Sequence, residues 1–424
     1  MELEKEPSKE ELAFEEELKN PTQNTLEKMK YVNYKKIYDK EYGIYHFRIP
    51  NPLLRKASFD CSGEPTLWAK SISHEYTIFY KPIPTPGPND WLMNHKEYGQ
   101  TFMEYRRFGF HEIQLVNSLK NGTKQTIKKE VIYIAPLFYQ INPSFDENFI
   151  TSIIVFCQSY FHDMQFRLLR LDLNNKGIEY RKYEDNTYQL NACTIIEKLY
   201  RKMPEDAYCL IGITDVDLYN DVRVIKPRKW IYYPPPYKND FCYELNSYKY
   251  WVSLCSIARF DPMFTKSEQP SENEKAMFFF KLLKRSIKMV VKNIGHMFGL
   301  KNCIFFSCVM NGFGSMKEFD SRPVEVCPCC LRKIFTNVVR KYFRLDDGKR
   351  VTEKDILIFQ RFEKIINCLN ENFKDIFKNE LDWYEKRFNS LNKESSNIIN
   401  IFNTILILNL FLIIIKYFRY FIFK

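Results

Sequence analysis

Five cysteines fall within 28 residues of one another, and this cluster constrains the fold more than any other feature of the sequence. Cys303 and Cys308 form one close pair, Cys327 and Cys330 form a second, and Cys329 lies inside the second pair. Zinc takes four thiolates in a tetrahedron, and one turn can present two closely spaced ligands. We therefore predict one structural zinc bound by Cys303, Cys308, Cys327 and Cys330. Cys329 is then either a substitute ligand or a thiol beside the ligands.

The N-terminus and the charge distribution bear on the compartment and on partners. The first twenty residues, MELEKEPSKEELAFEEELKN, are acidic and lack the apolar segment of a signal peptide. We expect an intracellular, cytoplasmic protein, where clustered cysteines more often bind metal than form disulfides. The net charge of +11 comes from lysines and arginines scattered among acids, so no nucleic-acid partner is expected.

Strand-like and helix-like segments alternate through the middle of the chain, after an irregular stretch over residues 1–125. Apolar runs predict strands at 131–137, 166–171, 207–214 and 250–260. Longer segments predict helices at 148–161, 191–202 and 274–300. This alternation predicts an α/β sandwich with a mostly parallel sheet.

The C-terminal region contains two further apolar segments. Thr352 has the position of a helix N-cap, and an apolar stripe from Phe359 to Phe377 predicts an amphipathic helix that packs on the domain. Residues 398–415 are mostly apolar but interrupted by three asparagines. They fit a marginal transmembrane anchor with membrane contact, a docked hydrophobic helix, or a gene-model artefact from AT-rich DNA. These three alternatives stay open.

The segment KNIGHMFGLKNC, residues 292–303, has the outline of a zinc-protease helix, H-E-x-x-H-x-x-G-x-x-H. Together with the cysteines that follow, it resembles the signature of archaemetzincins, zinc metallopeptidases of the metzincin clan, over roughly residues 88–345. The resemblance implies a three-layer metzincin-like sandwich with a mixed, mostly parallel sheet and a long active-site helix that ends at Gly299. It also implies a zinc-bound four-cysteine subdomain near the C-terminus, followed by helices.

The family pattern implies three histidines on a catalytic zinc, a glutamate as general base, and a methionine turn beneath the metal. Here the first histidine position is Lys292, the glutamate position is Asn293 and the third histidine position is Asn302, whereas His296 and the turn residue Met310 are retained. A catalytic zinc usually needs three protein ligands, so a second zinc ion is not expected. The other histidines all precede residue 163, and their spacing suggests no replacement ligand.

Lys292 allows two interpretations. Its ammonium could replace the charge of the zinc and hold the cleft open, or its side chain could extend to solvent. An edge strand that pairs with substrate is expected between Asp215 and Ser253, but three consecutive prolines in that region argue against binding of a peptide by strand addition.

These observations predict a catalytically inactive metallopeptidase homologue that binds a peptide or protein in the former cleft. One alternative is an active, aminopeptidase-type zinc enzyme with atypical or misannotated ligands, and the other is a membrane-tethered adaptor. Four divisions are predicted: an acidic and irregular N-terminal region at 1–87, a peptidase-like domain at 88–345, a helical extension at 346–396 and a hydrophobic tail at 397–424.

Overall fold

The structure is a computed structural model and describes fifteen stretches of the chain. They are residues 34–35, 46–47, 49–50, 52–59, 79–95, 97–105, 131–137, 145–161, 164–171, 173, 177–182, 188–220, 241–264, 270–342 and 351–391. The apolar segment 398–415 and the three prolines at 234–236 lie outside these residues. Within the described stretches, no helix has the length and apolar character needed to cross a bilayer.

Strands and helices alternate along the described chain, as the sequence predicts. In chain order they are β1 (Tyr34–Lys35), β2 (His46–Phe47), α1 (Pro52–Phe59), α2 (Trp91–Asn94), α3 (Phe102–Glu104), β3 (Val131–Leu137), α4 (Glu147–Tyr160), β4 (Gln165–Leu168), β5 (Tyr180–Lys182), β6 (Tyr188–Asn191), α5 (Ala192–Arg201), β7 (Ala207–Thr214), β8 (Asp217–Tyr219), β9 (Glu244–Ser247), β10 (Val252–Ser256), α6 (Glu272–Met297), α7 (Met316–Ser321), α8 (Pro328–Tyr342), α9 (Val351–Asn372) and α10 (378–391).

The central sheet has five strands in the order β4-β3-β7-β10-β9. The first four are parallel, and β9 closes one edge in the antiparallel direction, with Leu245 opposite Leu254. Beside it, β5, β6 and β8 form a smaller sheet. The predicted mostly parallel sheet is confirmed, and the expected edge strand is β9.

Helices cover both faces of the central sheet. Alternate residues of a strand point to opposite faces, so Ile132 and Ile134 of β3 join the core that contains α4 and α6. Val131 and Tyr133 join a second core with α5. The result is the expected three-layer α/β/α arrangement, in which α6 lies against the sheet on the same side as α4.

Several boundaries differ from the sequence prediction. The strand expected at 250–260 is only β10, because the chain turns into a short 3-10 helix at Ala258–Phe260. Thr352 does not cap a helix, because α9 already begins at Val351. The apolar stripe continues across a break after Asn372, so it belongs to α9 and to the turn before α10, with Phe362 and Phe377 both in the main core.

The N-terminal region is more regular than predicted. The helix α1 packs against α8, and Arg332 on α8 donates to the carbonyl of Phe59 at 2.5 Å. Tyr105, which follows α3 and is fully buried, donates to the carbonyl of Phe298 at 2.9 Å. These contacts place α1 beside α8 and Tyr105 beside the end of α6, where the candidate site lies.

The C-terminal helices are tied to the same core by a buried ion pair. Arg361 on α9 is 1% exposed and donates to both carboxylate oxygens of Glu325, at 2.9 and 3.1 Å. Tyr384 on α10 donates to the same carboxylate, and Arg361 also donates to the carbonyl of Tyr160. Glu325 lies two residues before Cys327, so α9 and α10 brace the segment that leads into the second cysteine pair.

Candidate functional site

The helix α6 carries the site and has well-defined ends. It begins with a capping box at Ser271, whose hydroxyl accepts from the amide of Glu274 while the Glu274 carboxylate accepts from the amide of Ser271. It ends at Met297, and Gly299 then takes a φ of 85°, which is a left-handed conformation that favours glycine. The amide of Leu300 bonds back to the carbonyl of Gly295 at 3.1 Å. Residues after Gly299 are thereby turned back under the helix.

Met310 packs directly beneath α6. A Cβ atom added to Gly295 would lie 2.5 Å from the sulfur of Met310, so only glycine allows this approach. Met310 is fully buried, and its carbonyl accepts from the amide of Cys303 at 2.9 Å. The predicted turn methionine therefore lies below the stretch of helix between Lys292 and His296, next to the first cysteine pair.

Lys292 and His296 lie one turn apart on α6 and are each 1% exposed. Lys292 Nζ lies 3.1 Å from His296 Nε2 and forms an ion pair with Glu244 at the start of β9. His296 Nδ1 lies 2.8 Å from the carbonyl oxygen of Leu300 and must therefore donate to it. This leaves Nε2 as the acceptor for Lys292. The lysine does not extend to solvent.

Lys292, His296 and Glu244 form a triad, and its charges are set by burial and by the ion pair between Lys292 and Glu244. Burial, followed by the nearby Lys292 ammonium, lowers the pKa of His296 to about 4, so the imidazole is neutral at pH 7. Burial alone would raise the pKa of Glu244, but Lys292 holds it below its ordinary value. Lysine and carboxylate thus compensate each other, and the triad has no net charge at neutral pH.

The two asparagines occupy the remaining positions of the family pattern. Asn302 is 4% exposed, and its Nδ2 donates to Glu97 Oε1 at 2.7 Å. The same Glu97 oxygen accepts from the indole of Trp91 at 3.0 Å. Asn293 is fully buried on α6 and has no carboxylate to take a proton from water.

Glu244, Lys292, His296 and Asn302 line one cavity of about 360 Å³ between α6, β9 and the segments around α2 and Phe313. Much of its wall is aromatic, and the Trp91 ring stacks on His95 with centroids 3.5 Å apart. The lining residues are Asn89, Trp91, Asn94, His95, Phe241, Cys242, Tyr243, Glu244, Asn246, Lys292, His296, Asn302, Gly312, Phe313 and Gly314.

Metal-binding geometry is found at the cysteines. Cys303, Cys308, Cys327 and Cys330 are buried, and their sulfurs lie within 4.8 Å of one another. Cys303 Sγ is 3.6 Å from Cys327 Sγ, close to the roughly 3.8 Å expected between two sulfurs of a tetrahedral zinc site. Across the described residues, this is the one set of three or more metal-binding side chains that converges. His296 belongs to no such set there.

The loop that presents the first pair is held by Asn311. Its Nδ2 donates to the carbonyl of Cys303 at 2.7 Å, and its Oδ1 accepts from the amide of Cys308 at 2.8 Å.

Burial affects the pKa values of Cys303, Cys308 and Cys327. Burial disfavours the thiolate of Cys303, but hydrogen bonds from the neighbouring thiols hold the pKa of Cys303 well below its ordinary value. Burial raises the pKa of Cys308 and Cys327. Four close, buried sulfurs of this kind fit a divalent cation, which favours the deprotonated form.

Cys329 does not belong to the converging set. Its thiol donates to the carbonyl of Ser58 at 3.2 Å, and burial raises its pKa to about 12. It therefore links α8 to α1. It is not needed as a substitute ligand, and its electrostatic interaction with Cys303 and Cys330 agrees with the other expected role, a thiol beside the ligands.

Three residues of the site are absent from the sequence prediction, namely Glu244, Glu97 and His95. Glu244 is the first residue of the edge strand, so the expected position of that strand could have indicated an acid facing α6. Glu97 and His95 reach the site from a segment about 200 residues earlier in the chain. Their spacing in the sequence gives no signal of this.

Comparison with known proteins gives consistent similarities. Residues 206–336 match the family model described as Peptidase family M54. Archaemetzincin-2 of Pongo abelii is 28% identical over 294 residues, which cover 64% of this chain and 74% of that protein. Archaemetzincin-2 of Rattus norvegicus is 27% identical and covers 66% and 77%. The crystal structure of archaemetzincin from Methanopyrus kandleri aligns with 51% of this chain and 99% of that one, at 19% identity and a TM-score of 0.36.

Proposed function

We propose that this chain, which is similar to archaemetzincins, binds one structural zinc ion and holds a peptide or protein segment in its cleft without hydrolysing it. The cysteines Cys303, Cys308, Cys327 and Cys330 would hold the zinc. An ion with four protein ligands leaves no position open for water, so it stabilises the fold and takes no part in hydrolysis.

The hydrogen bond between Lys292 and His296 is the observation that carries the proposal of inactivity. In the family pattern His296 would bind the catalytic metal, and here its Nε2 accepts from an ammonium at 3.1 Å. A divalent cation at this place would meet the positive charge of Lys292 at close range, in a buried site where charges are weakly screened. The residues present therefore do not fit a catalytic zinc, and we derive no hydrolytic step.

The cleft itself supports binding. Its cavity of about 360 Å³ lies within the size range of ligand pockets and is bordered by the edge strand β9. The ion pair of Lys292 and Glu244 lines the cavity. In this proposal the pair takes the place that the catalytic metal has in the family pattern, and its side chains support the cavity wall. Aromatic side chains along the wall offer contact area for apolar parts of a peptide.

Zinc per chain, measured by elemental mass spectrometry on the purified full-length protein, tests the proposal together with a peptidase assay. One zinc per chain and no turnover are expected. Two zinc ions with hydrolysis would contradict the proposal, because His296 would then have found partners other than Lys292. A protein with no zinc would contradict the structural site.

A further inference from the structure

The floor of the cavity has hydrogen-bonding groups that the described protein does not use. We propose that the cavity binds a neutral carboxamide group, such as the side chain of asparagine or glutamine in a peptide. This inference rests on the proposed function and specifies the ligand of the same cleft. It is argued from two acceptors, one donor and the charge balance at the floor.

Two buried acceptors lack a donor. Asn302 Oδ1 and Glu244 Oε2 both belong to residues that line the cavity, and neither has a donor in hydrogen-bonding geometry within the described part of the chain, although the Asn246 side chain lies close enough to stabilise the Glu244 carboxylate. The orientation of the Asn302 amide is fixed, because a flip would place its oxygen against the Glu97 carboxylate that now accepts from Nδ2 at 2.7 Å. A buried acceptor without a donor is unfavourable, so both oxygens favour a ligand that supplies N–H groups.

One donor is also unused. The ammonium of Lys292 has three N–H groups, and Glu244 and His296 accept two of them. Its nitrogen lies 5.9 Å from the centroid of the Phe313 ring, which is part of the cavity wall. Apart from the face of this ring, the third N–H has no acceptor among the described residues, and it can donate to a ligand oxygen placed next to Phe313.

A carboxamide matches this set, because its NH2 group offers two donors and its carbonyl oxygen accepts. A charged ligand matches it less well. Lys292 and Glu244 already compensate each other, so a carboxylate or an ammonium would bring an unpaired charge to a buried floor whose charges are balanced. Trp91, Phe241 and Phe313 are placed to pack against the apolar carbon atoms next to the amide.

Three small probes of similar size test the charge preference: phenylacetamide, phenylacetate and phenethylamine. Their dissociation constants are measured on the full-length, zinc-loaded protein at pH 7 by ligand-observed NMR titration. We expect the amide to bind at least tenfold more tightly than either charged probe. Tighter or equal binding of a charged probe would overturn the carboxamide assignment while leaving a ligand-binding cleft. Failure of all three to bind would overturn the assignment and also count against the binding part of the proposed function.

A variant then locates the bound amide. Asn302→Ala removes one unused acceptor and should weaken phenylacetamide binding about tenfold while changing phenylacetate binding less than twofold. Asn148→Ala, at an exposed asparagine on α4, is the matched control and should change neither. Equal losses for both probes in Asn302→Ala would contradict the assignment. If this variant does not fold, the comparison of three probes on the unmodified protein still decides the question.

Discussion

Lys292 donates to His296 Nε2 at 3.1 Å, one turn along the same helix. The imidazole is oriented to accept this hydrogen bond because its Nδ1 donates to the carbonyl of Leu300. A histidine whose Nδ1 is bonded to a backbone carbonyl is oriented as metal-ligating histidines usually are. His296 thus has the orientation of a metal ligand, but the partner of its Nε2 is an ammonium. Glu244, with an oxygen 3.9 Å from the same nitrogen, completes the arrangement from the sheet edge.

Lys292→Met should destabilise the protein strongly, because it leaves the carboxylate of Glu244 buried without its cation. Breaking a buried ion pair from one side costs about 3–5 kcal/mol of unfolding free energy. Denaturant unfolding measures the loss, and the double variant Lys292→Met with Glu244→Gln should recover at least half of it. The control is Lys275→Met on the exposed side of α6, where loss of the Glu272 pair should change stability by less than about 1 kcal/mol. Equal effects at the two lysines would contradict a charge-replacing role for Lys292.

The pH dependence of stability should contain a contribution from His296. Its pKa is about 4 in the folded state against an ordinary value of 6.5, so between these values only the unfolded state binds the proton. Stability should therefore fall as pH decreases from 6.5 towards 4, by at most about 1.4 kcal/mol per pH unit. Unfolding free energies at pH 7, 6 and 5 measure this slope. His296→Gln, whose amide oxygen can still accept from Lys292, should have a flatter slope, and identical slopes would contradict the assignment.

Cys327→Ser should release the metal, whereas Cys329→Ser should retain it. The first removes one of four converging sulfurs, and the second alters a thiol that donates to the carbonyl of Ser58, which a serine hydroxyl can also do. Elemental mass spectrometry should give close to zero zinc for the first variant and one per chain for the second. Loss of metal from both, or from neither, would show that the four-sulfur set is wrongly assigned.

Restoring the family residues at three positions should create a second metal site. In the triple variant Lys292→His, Asn293→Glu, Asn302→His, the ammonium is gone and His296 is already oriented by Leu300. Glu97, which now accepts from Asn302, is placed to orient the new side chain at 302. We expect two zinc ions per chain. Adding His296→Ala to the triple variant should return the count to one, and a count of one in both would contradict the inferred geometry.

Arg361→Met should destabilise the protein and speed the loss of metal to a chelator, because Glu325 would remain buried beside the second cysteine pair. We expect a loss of about 3–5 kcal/mol. Arg167→Met, which breaks an exposed pair with Asp206, provides a control with the same change of residue type. If Arg361→Met releases metal no faster than this control, the C-terminal helices do not brace the metal site.

The sequence predicts the parts of this protein that are local or periodic. The buried strands, the long helix α6 and the spacing of the cysteines are each readable within 30 residues, although the Ser271 cap that starts α6 is absent from the sequence prediction. The triad is not, because Glu244 reaches Lys292 from 48 residues away and Glu97 reaches Asn302 from 205. Whether Lys292 stays inside or turns outward depends on finding that carboxylate. Lys292 can be buried because Glu244 compensates its charge, and the tertiary structure brings Glu244 to it.

The contacts between the N-terminal segments and the C-terminal helices bear on the order in which parts of the protein fold. Cys329 bonds to Ser58 across 271 residues of chain, Arg332 to Phe59 across 273, and Trp383 to Phe79 across 304. Pairings this distant in sequence form slowly, because a long loop must close before they contribute. During synthesis α1 and the segment around Phe79 emerge long before α8 and α10, with which these contacts are made. The surface on which these early segments dock is therefore complete only after α8 and α10 have formed, so docking of the N-terminal segments is a late step of folding.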